Sequence, residues 1–450
     1  MYIKSVSSEF NHIFYDNCNY NTLNKFCKKR LRNMLDGISL DAVIYYDLAY
    51  CYTNTTKESI TANINTSIRK KFTRQAFEAK SKNISINFYK YILSELILLY
   101  NSYSSTDKII AIDGTYTNNN LHEEVLNLGF YDITNNIPID IKTFGNKNKN
   151  NEISSTIKYI KSHIDSFNKD KVIFVADRGY FSYNFIKFLI DNKFKFVLRG
   201  RMECTNIDNT KPLKKNTPNY SVISEIRQYV HVVRCKYEHN KILTAGKNKK
   251  NSKTLNLLLT SECNLVTNLD KTVYMDSDII DIYRKRWDIE VYFKYLKYNF
   301  KTQNINDKVI DKLFVCQLII TYLEKILESY YVTKNKDILK SKDCYYKKIN
   351  KSLMADGIIN FLIKKLLSRT INNVTLDEFL NKYTKIITNK KERSYPRNSK
   401  TPYSKWYIKG YSEITKFDKI LKAILTNDYS KLNKKLNKNL KRLIKNIRVT

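Results

Sequence analysis

The chain of 450 residues is poor in the residues that break regular structure, with 9 Gly and 5 Pro. That shortage excludes collagen-like and Pro/Gly-rich low-complexity chains. Eight cysteines are scattered without a Cys-x-x-Cys pair, and the five histidines do not cluster with them. A zinc site is therefore not expected, and the thiols are read as reduced and intracellular. Apolar runs are short: the longest, near 91–100 and 313–323, fall below the roughly 18 residues of a membrane span and contain polar groups. The opening Met1-Tyr-Ile-Lys-Ser5 is not of signal-peptide type. Acid is scarce too, with 43 Asp and Glu against 79 Lys and Arg and a net charge of +36. Such a surplus disfavours an ordinary metabolic enzyme and favours a polyanionic partner, nucleic acid before membrane. Part of it reflects base composition, because a chain rich in Lys, Asn, Ile and Tyr is what an A+T-rich gene encodes. Hydrophobic residues at 42% and aromatics at 13% suffice for sizeable cores, so wholesale disorder is excluded. The length allows about three domains.

Residues 1–105 read as helical. Basic clusters occur at Lys25, Lys28, Lys29, Arg30 and Arg32, and at Arg69, Lys70, Lys71 and Arg74. The second leads into Thr73-Arg-Gln-Ala-Phe77, which has the form of a recognition-helix start; a solvated helix face is the plainer reading. From 106 the texture changes. Lys108-Ile-Ile-Ala-Ile-Asp-Gly114 is a short apolar run ending in an acid and a turn, a buried strand. Residues 125–143 hold two more strands joined at Thr134-Asn-Asn136. Ile153, Ile157, Ile160, Ile164 and Phe167 mark one face of a helix. Lys171-Val-Ile-Phe-Val-Ala176 is a further buried strand, ending in Asp177-Arg-Gly-Tyr180. Ser182 is placed to cap a helix running to about Asp191, and Phe194-Lys-Phe-Val-Leu198 is the next strand. Segments such as Tyr229-Val-His-Val-Val233 and Thr254-Leu-Asn-Leu-Leu-Leu259 make 202–272 a mainly β insertion. Asp276 or Ser277 caps a long helix with acids in its first turn. Residues 308–390 read as helical. The tail from 429 to 450 spaces Leu432, Leu436, Leu440, Leu443 and Ile447 helically among Lys and Arg; a DNA-bound tail, a dimer helix and a solvated end all fit it.

Asp113 and Asp177 each follow a buried strand directly, where an open sheet holds a side chain rigidly at its edge. The long helix supplies a third acid. At 100° per residue, Tyr283, Arg286, Glu290 and Lys297 fall within an arc of about 60°. Ile282, Ile289, Phe293, Leu296 and Phe300 form the adjoining apolar stripe. Three carboxylates suit hard divalent cations, which bind carboxylate oxygen and keep several waters. Two such ions activate an attacking oxygen and stabilise a leaving one at a phosphodiester. Arg286 and Lys297 would then hold the flanking phosphates, and Tyr283 would donate its hydroxyl to one.

Ile112-Asp-Gly-Thr115, Asp177-Arg-Gly-Tyr180 and Tyr283-Arg-Lys-Arg-Trp-Asp-Ile-Glu290 with Phe293-Lys-Tyr-Leu-Lys297 resemble the DDE transposases of bacterial insertion sequences that carry the YREK signature. Tyr283, Arg286, Glu290 and Lys297 match that signature at every spacing, and the resemblance spans roughly 106–300. The long gap between Asp177 and Glu290 is similar to members with a β insertion there. The resemblance implies an α/β chain: a ribonuclease-H-like mixed-sheet core with a β-rich insertion subdomain, flanked by helical N- and C-terminal regions. Taken with the changes of texture along the chain, and with flanks that are compatible with it but carry no matching motif, it divides the chain into a helical DNA-end-binding region at 1–105, a first core segment at 106–201 and the insertion at 202–272. The second core segment with the Glu-bearing helix is 273–330, and 331–450 is a helical basic region for DNA contact or dimerisation. It further implies catalytic and metal-binding roles for Asp113, Asp177 and Glu290 with two Mg²⁺ or Mn²⁺ ions. The reaction would be cut-and-paste movement of double-stranded DNA, ends and target, by a homodimer. The setting would be intracellular, with DNA, in a bacterial cytoplasm or a host nucleus or viral factory, and not at a membrane. Arg178 lies within the second motif, where it contacts phosphate or pairs with a neighbouring acid. Members of the family stack a flipped base on an insertion-domain Trp. Here Trp287 and Trp406 lie outside 202–272, so a Tyr or Phe would have to serve. Trp287, beside the functional row, contacts DNA or packs against the insertion. The rival readings are a ribonuclease-H-like nuclease or resolvase that cuts without joining, and a domesticated copy that only binds DNA.

Overall fold

The structure, a computed structural model, describes residues 6–16, 25–26, 38–52, 55–68, 71–102, 107–118, 123–146, 150–200, 206–208, 212–245, 253–300, 307–334, 345–367, 372–383, 386–390 and 448–449. Five helices come first: α1 (Val6–Asn11), α2 (Leu40–Tyr50), α3 (Lys57–Ile68), α4 (Arg74–Asn83) and α5 (Ile86–Asn101). Next are β1 (Lys108–Asn118), β2 (Glu124–Asp132), β3 (Ile137–Asn146), α6 (Glu152–Ser162), β4 (Val172–Ala176), α7 (Tyr183–Asp191) and β5 (Lys195–Arg199). Then follow α8 (Tyr220–Ile226), β6 (His231–Ala245), β7 (Lys253–Thr267), α9 (Asp276–Lys285), α10 (Trp287–Asn299) and α11 (Asp307–Lys334). The remainder is β8 (Tyr345–Ile349), α12 (Lys351–Gly357), α13 (Ile363–Leu367), α14 (Asn373–Tyr383), β9 (Ile386–Lys390) and β10 (Arg448–Val449). Two compact units result. The first is Met1–Tyr180, Asp191–Lys195 and Ile282–Ser394; the second is Phe181–Ile190, Phe196–Asp281 and Tyr395–Thr450.

The first unit is α/β. Its strands lie in the order β3-β2-β1-β4, with β1, β2 and β3 antiparallel and β4 parallel to β1. This is the expected mixed sheet of an α/β fold. A parallel neighbour requires a crossover, and α6 provides it. The central strands are apolar on both faces, as burial on both sides requires: Ile110, Ala111 and Ile112 of β1 and all five residues of β4 are buried. The β2–β3 turn closes at Asn136, whose φ of 54° is one that Asn adopts more readily than most residues. The inward face of α6 differs from the expected isoleucine row. Ser155, Thr156, Tyr159 and Ile160 are its buried residues. Tyr159 faces inward, stacking on Phe130 at 4.0 Å and donating to Asp140 at 2.8 Å, and the helix ends at Ser162, before Ile164 and Phe167.

One core continues from the sheet into the N-terminal helices, α10 and α11. It contains a buried polar cluster. Asp47 of α2 accepts from Ser81 of α4 (2.6 Å), Tyr89 of α5 and Lys312 of α11 (2.6 Å). Lys312 also donates to the Ser81 carbonyl at 3.0 Å. A buried charge is tolerated when paired and fully hydrogen-bonded, and this set joins four helices at one carboxylate. Thr73 does cap a helix, accepting from the Ala76 amide, but Phe77 of that helix is buried and Arg74 pairs with Glu58 and Glu78. The first basic cluster beyond Lys25, and Arg69 and Lys70 of the second, lie outside the described residues.

The expected all-helical C-terminal region requires correction. β8 and β9 pair antiparallel, Tyr345 opposite Lys390 through Ile349 opposite Ile386. Tyr345-Tyr-Lys-Lys-Ile and Ile386-Ile-Thr-Asn-Lys carry the aromatic and β-branched residues that suit strands. Of the tail, only Arg448–Val449 lies among the described residues, and it is extended, paired with Leu257–Leu258 of β7. In the second unit, β7 pairs with β5 and, over fifteen residues, with β6. Within 202–272 the described residues form the long strands β6 and β7 and, beside the expected strands, a helix, α8. Among the described residues no helix is long and apolar enough to cross a membrane.

Replacement of Lys312 by Met leaves Asp47 charged, buried and without its cation. The expected loss is about 3–5 kcal/mol in urea denaturation; a loss below about 1 kcal/mol would show that the cluster does not hold the helices together.

Candidate active site

The first aspartate is placed by strand pairing. Ile112 of β1 lies opposite Ala176 of β4 in the parallel register. The next residues are Asp113 and Asp177, so the two acids follow paired positions on adjacent strands; Asp177 stands just past the end of β4, whereas β1 runs on through Asp113 and Gly114 to Asn118 and does not end in the expected turn. Each acid accepts from a nearby backbone amide. Gly114 N–H donates to Asp113 Oδ1 at 2.9 Å, and Gly179 N–H donates to Asp177 Oδ1 at 2.7 Å.

The third acid is placed by helix packing. Ile289, Phe293, Leu296 and Phe300 carry the apolar stripe of α10 into the core. The stripe descends at Gly129 of β2, which lies opposite Asp113 in the antiparallel register. A Cβ at Gly129 would stand 2.6 Å from the Phe293 ring and 3.5 Å from Ile289 Cδ1. Gly129 is thus the position at which helix and sheet touch most closely, and that contact sets Glu290 beside Asp113. The sequence reading passed over Gly129. Its signal was an isolated glycine inside a strand, which marks a close approach.

The expected long helix is two segments, α9 and α10, with Arg286 between them in helical conformation and i→i−3 bonds at Arg286 and Ile289. Arg286 is buried, its side chain 4% exposed. Its guanidinium pairs with Glu290 (2.7 Å) and with Asp113 (3.6 Å). Burial pushes the Asp113 carboxyl up to about 7; Arg286 opposes the rise, while the charges of Asp177 and Glu290 add to it. The three acids therefore share one electrostatic neighbourhood, in which Arg286 is the balancing cation.

The other residues of the row fall differently. Tyr283 is buried, with its ring 5.8 Å from the Arg286 guanidinium carbon, so it backs Arg286 and does not point its hydroxyl into solvent. Lys297 and Arg178 are exposed. Trp287 is half-buried, with the Lys294 ammonium 5.1 Å over its ring.

The donor set suits a hard cation, since all three acids offer carboxylate oxygen and carry more negative charge than Arg286 offsets. Among the described residues, however, no group of three or more His, Cys, Asp and Glu side chains stands close enough to hold an ion. Arg286 occupies the position between Asp113 and Glu290 that such an ion would need.

Residues 105–306 match the family model described as the transposase DDE domain, a segment that contains Asp113, Asp177, Arg286 and Glu290. No curated protein matches the chain. Among solved structures, the cryo-EM structure of a piggyBac transposase synaptic complex with hairpin DNA is similar at a TM-score of 0.45 and 9% identity, over 91% of this chain and 89% of that one.

Introducing a methyl group at Gly129 forces the Phe293 ring, and α10 with it, away from the sheet. Gly129→Ala is expected to cost about 1–3 kcal/mol in thermal or urea unfolding, the range for overpacked cores. Unchanged stability would mean that Phe293 moves without carrying the helix.

Proposed function

We propose that the chain is a DNA transposase of the insertion-sequence type with the Tyr-x₂-Arg-x₃-Glu-x₆-Lys signature. It cleaves phosphodiester bonds at the ends of its element and joins the freed 3′ ends to target DNA. The observation that carries this reading is the pairing of buried Arg286 with both Asp113 and Glu290, with Asp177 following the adjacent strand, inside a segment that matches a transposase DDE domain.

Asp113, Asp177 and Glu290 would hold two Mg²⁺ or Mn²⁺ ions. When bound, these supply activation of the attacking oxygen and stabilisation of the leaving one. The chain's own residues do the rest. The β1–β4 register and the Gly129 contact fix the acids in position before DNA arrives, so little rearrangement is left for the reacting complex. Arg286, displaced from its carboxylates, is within reach of a phosphate next to the cleaved bond, with the Tyr283 ring behind it. Exposed Lys297 and Arg178 hold phosphates on either side, and Trp287 contacts the DNA beside Glu290. The net charge of +36 gives a sequence-independent grip that weakens steeply with salt. Double-stranded DNA is the partner, ends and target alike, and the active form is a homodimer.

Asp113→Ala, Asp177→Ala and Glu290→Ala are each expected to abolish Mg²⁺-dependent strand cleavage while leaving DNA affinity in a gel-shift assay unchanged. Substantial cleavage by any one of them removes it from the catalytic set. Pre-cleaved ends separate the rivals. Joining to target DNA supports a transposase; cutting without joining indicates a nuclease or resolvase; binding alone indicates a domesticated copy.

A further inference from the structure

A fourth carboxylate lies behind the first motif. Glu152 is the first residue of α6, after Asn151, whose side chain caps the helix by accepting from the Ile153 amide at 2.8 Å. An acid in a first helical turn is ordinarily there for the helix dipole, an effect of a few tenths of a kcal/mol to about 1 kcal/mol. The surroundings of Glu152 go further. Its carboxyl is seated against the backbone of Gly114: a Cβ there would lie 2.5 Å from Glu152 Oε1 and 2.8 Å from Cδ. The Tyr116 hydroxyl donates to the same Oε1 at 2.7 Å.

Gly114 and Tyr116 face one side of β1, and Asp113 faces the other. The Gly114 peptide is therefore held from both directions. Glu152 bears on it from behind, and its N–H donates to Asp113 Oδ1 in front. Glycine is the residue with the most backbone freedom, and here it directly follows the acid that must be rigid. A Cβ at Gly114 would displace the Glu152 carboxyl from this seat, so the carboxyl adds a second restraint to the pairing of Gly114 with Leu128 of β2. The second motif meets the same group. Tyr180, three residues beyond Asp177, is fully buried; burial raises its pKa well above the ordinary value, and the charges of Glu152, Asp113 and Asp177 add to the rise.

We infer that Glu152 is a positioning residue, which with Tyr116 locks the Gly114 peptide and so fixes the direction of the Asp113 carboxylate at the ion site. The inference rests on the proposed function, because it gives Asp113 an ion to hold.

The test measures Mn²⁺ binding to the full chain without DNA, from the electron paramagnetic resonance signal of free Mn²⁺. Tyr116→Phe and Glu152→Ala are expected to weaken binding about 10-fold or more, the range for groups that orient a metal ligand. Glu152→Gln keeps an oxygen for the Tyr116 hydroxyl and is expected to bind nearly as well as the wild type. DNA affinity should be the same in all of them. If the Phe and Ala variants bind Mn²⁺ like the wild type, Glu152 serves the helix alone and the inference falls. It falls also if the Gln variant is as weak as the Ala variant, because the charge and not the brace would then matter. Should Glu152→Ala not fold, Tyr116→Phe, which removes one hydroxyl, decides the matter. Binding that survives Asp177→Ala would remove the ion site itself, and with it both the proposed function and this inference.

Discussion

The guanidinium of Arg286 lies between Asp113 and Glu290, buried, and the arrangement around it depends on that placement. Carboxylates gathered on one sheet repel one another, and burial penalises the charge of Asp113 further. A cation on the helix that brings one of them, four residues before Glu290, offsets both penalties. Removing such a cation from a buried set costs far more than the pair contributes on balance. The pair is thus better understood as a device for assembling charge than as a source of stability. Under the proposed function, a divalent cation would take the place of the guanidinium among the carboxylates, and Arg286 would then serve a phosphate.

Holding the acids together is a matter of strands and one glycine. The Ile112–Ala176 register places two aspartates abreast, and Gly129 lets the apolar stripe of α10 come down directly opposite Asp113. Both devices are remote in sequence from the residues they position. The Asp47–Lys312 cluster applies the same economy to the helical part, where one carboxylate collects donors from α4, α5 and α11.

The strands before Asp113 and Asp177 were legible as short buried apolar runs, but the end expected at Asp113 and Gly114 was not found, because β1 stays paired with β2 as far as Asn118. The Tyr283–Lys297 row was legible because helical spacing is regular. What the spacing left out was depth. A helical wheel places Tyr283, Arg286 and Lys297 on one face, but only the packed sheet decides that Tyr283 and Arg286 are buried while Lys297 is exposed. Gly129 and Glu152 were illegible for a related reason, since their roles are defined by groups 164 and 38 residues away, Phe293 and Gly114. The inward face of α6 includes Tyr159, with both a ring to stack and a hydroxyl to pair, which a count of isoleucines does not weigh. The β8–β9 hairpin was lost among lysines and asparagines that mask its Tyr and Ile content. The charge of +36 is divided as well: Arg286 is buried against Asp113 and Glu290, while Arg178 and Lys297 are exposed.

The most direct test of the account is a Mn²⁺ anomalous difference map from crystals of the full chain bound to the DNA ends of its element. Peaks bounded by Asp113, Asp177 and Glu290, with Arg286 turned from the carboxylates to a phosphate, are expected. Arg286 still paired with Asp113 and Glu290, and no peak among the three acids, would contradict it.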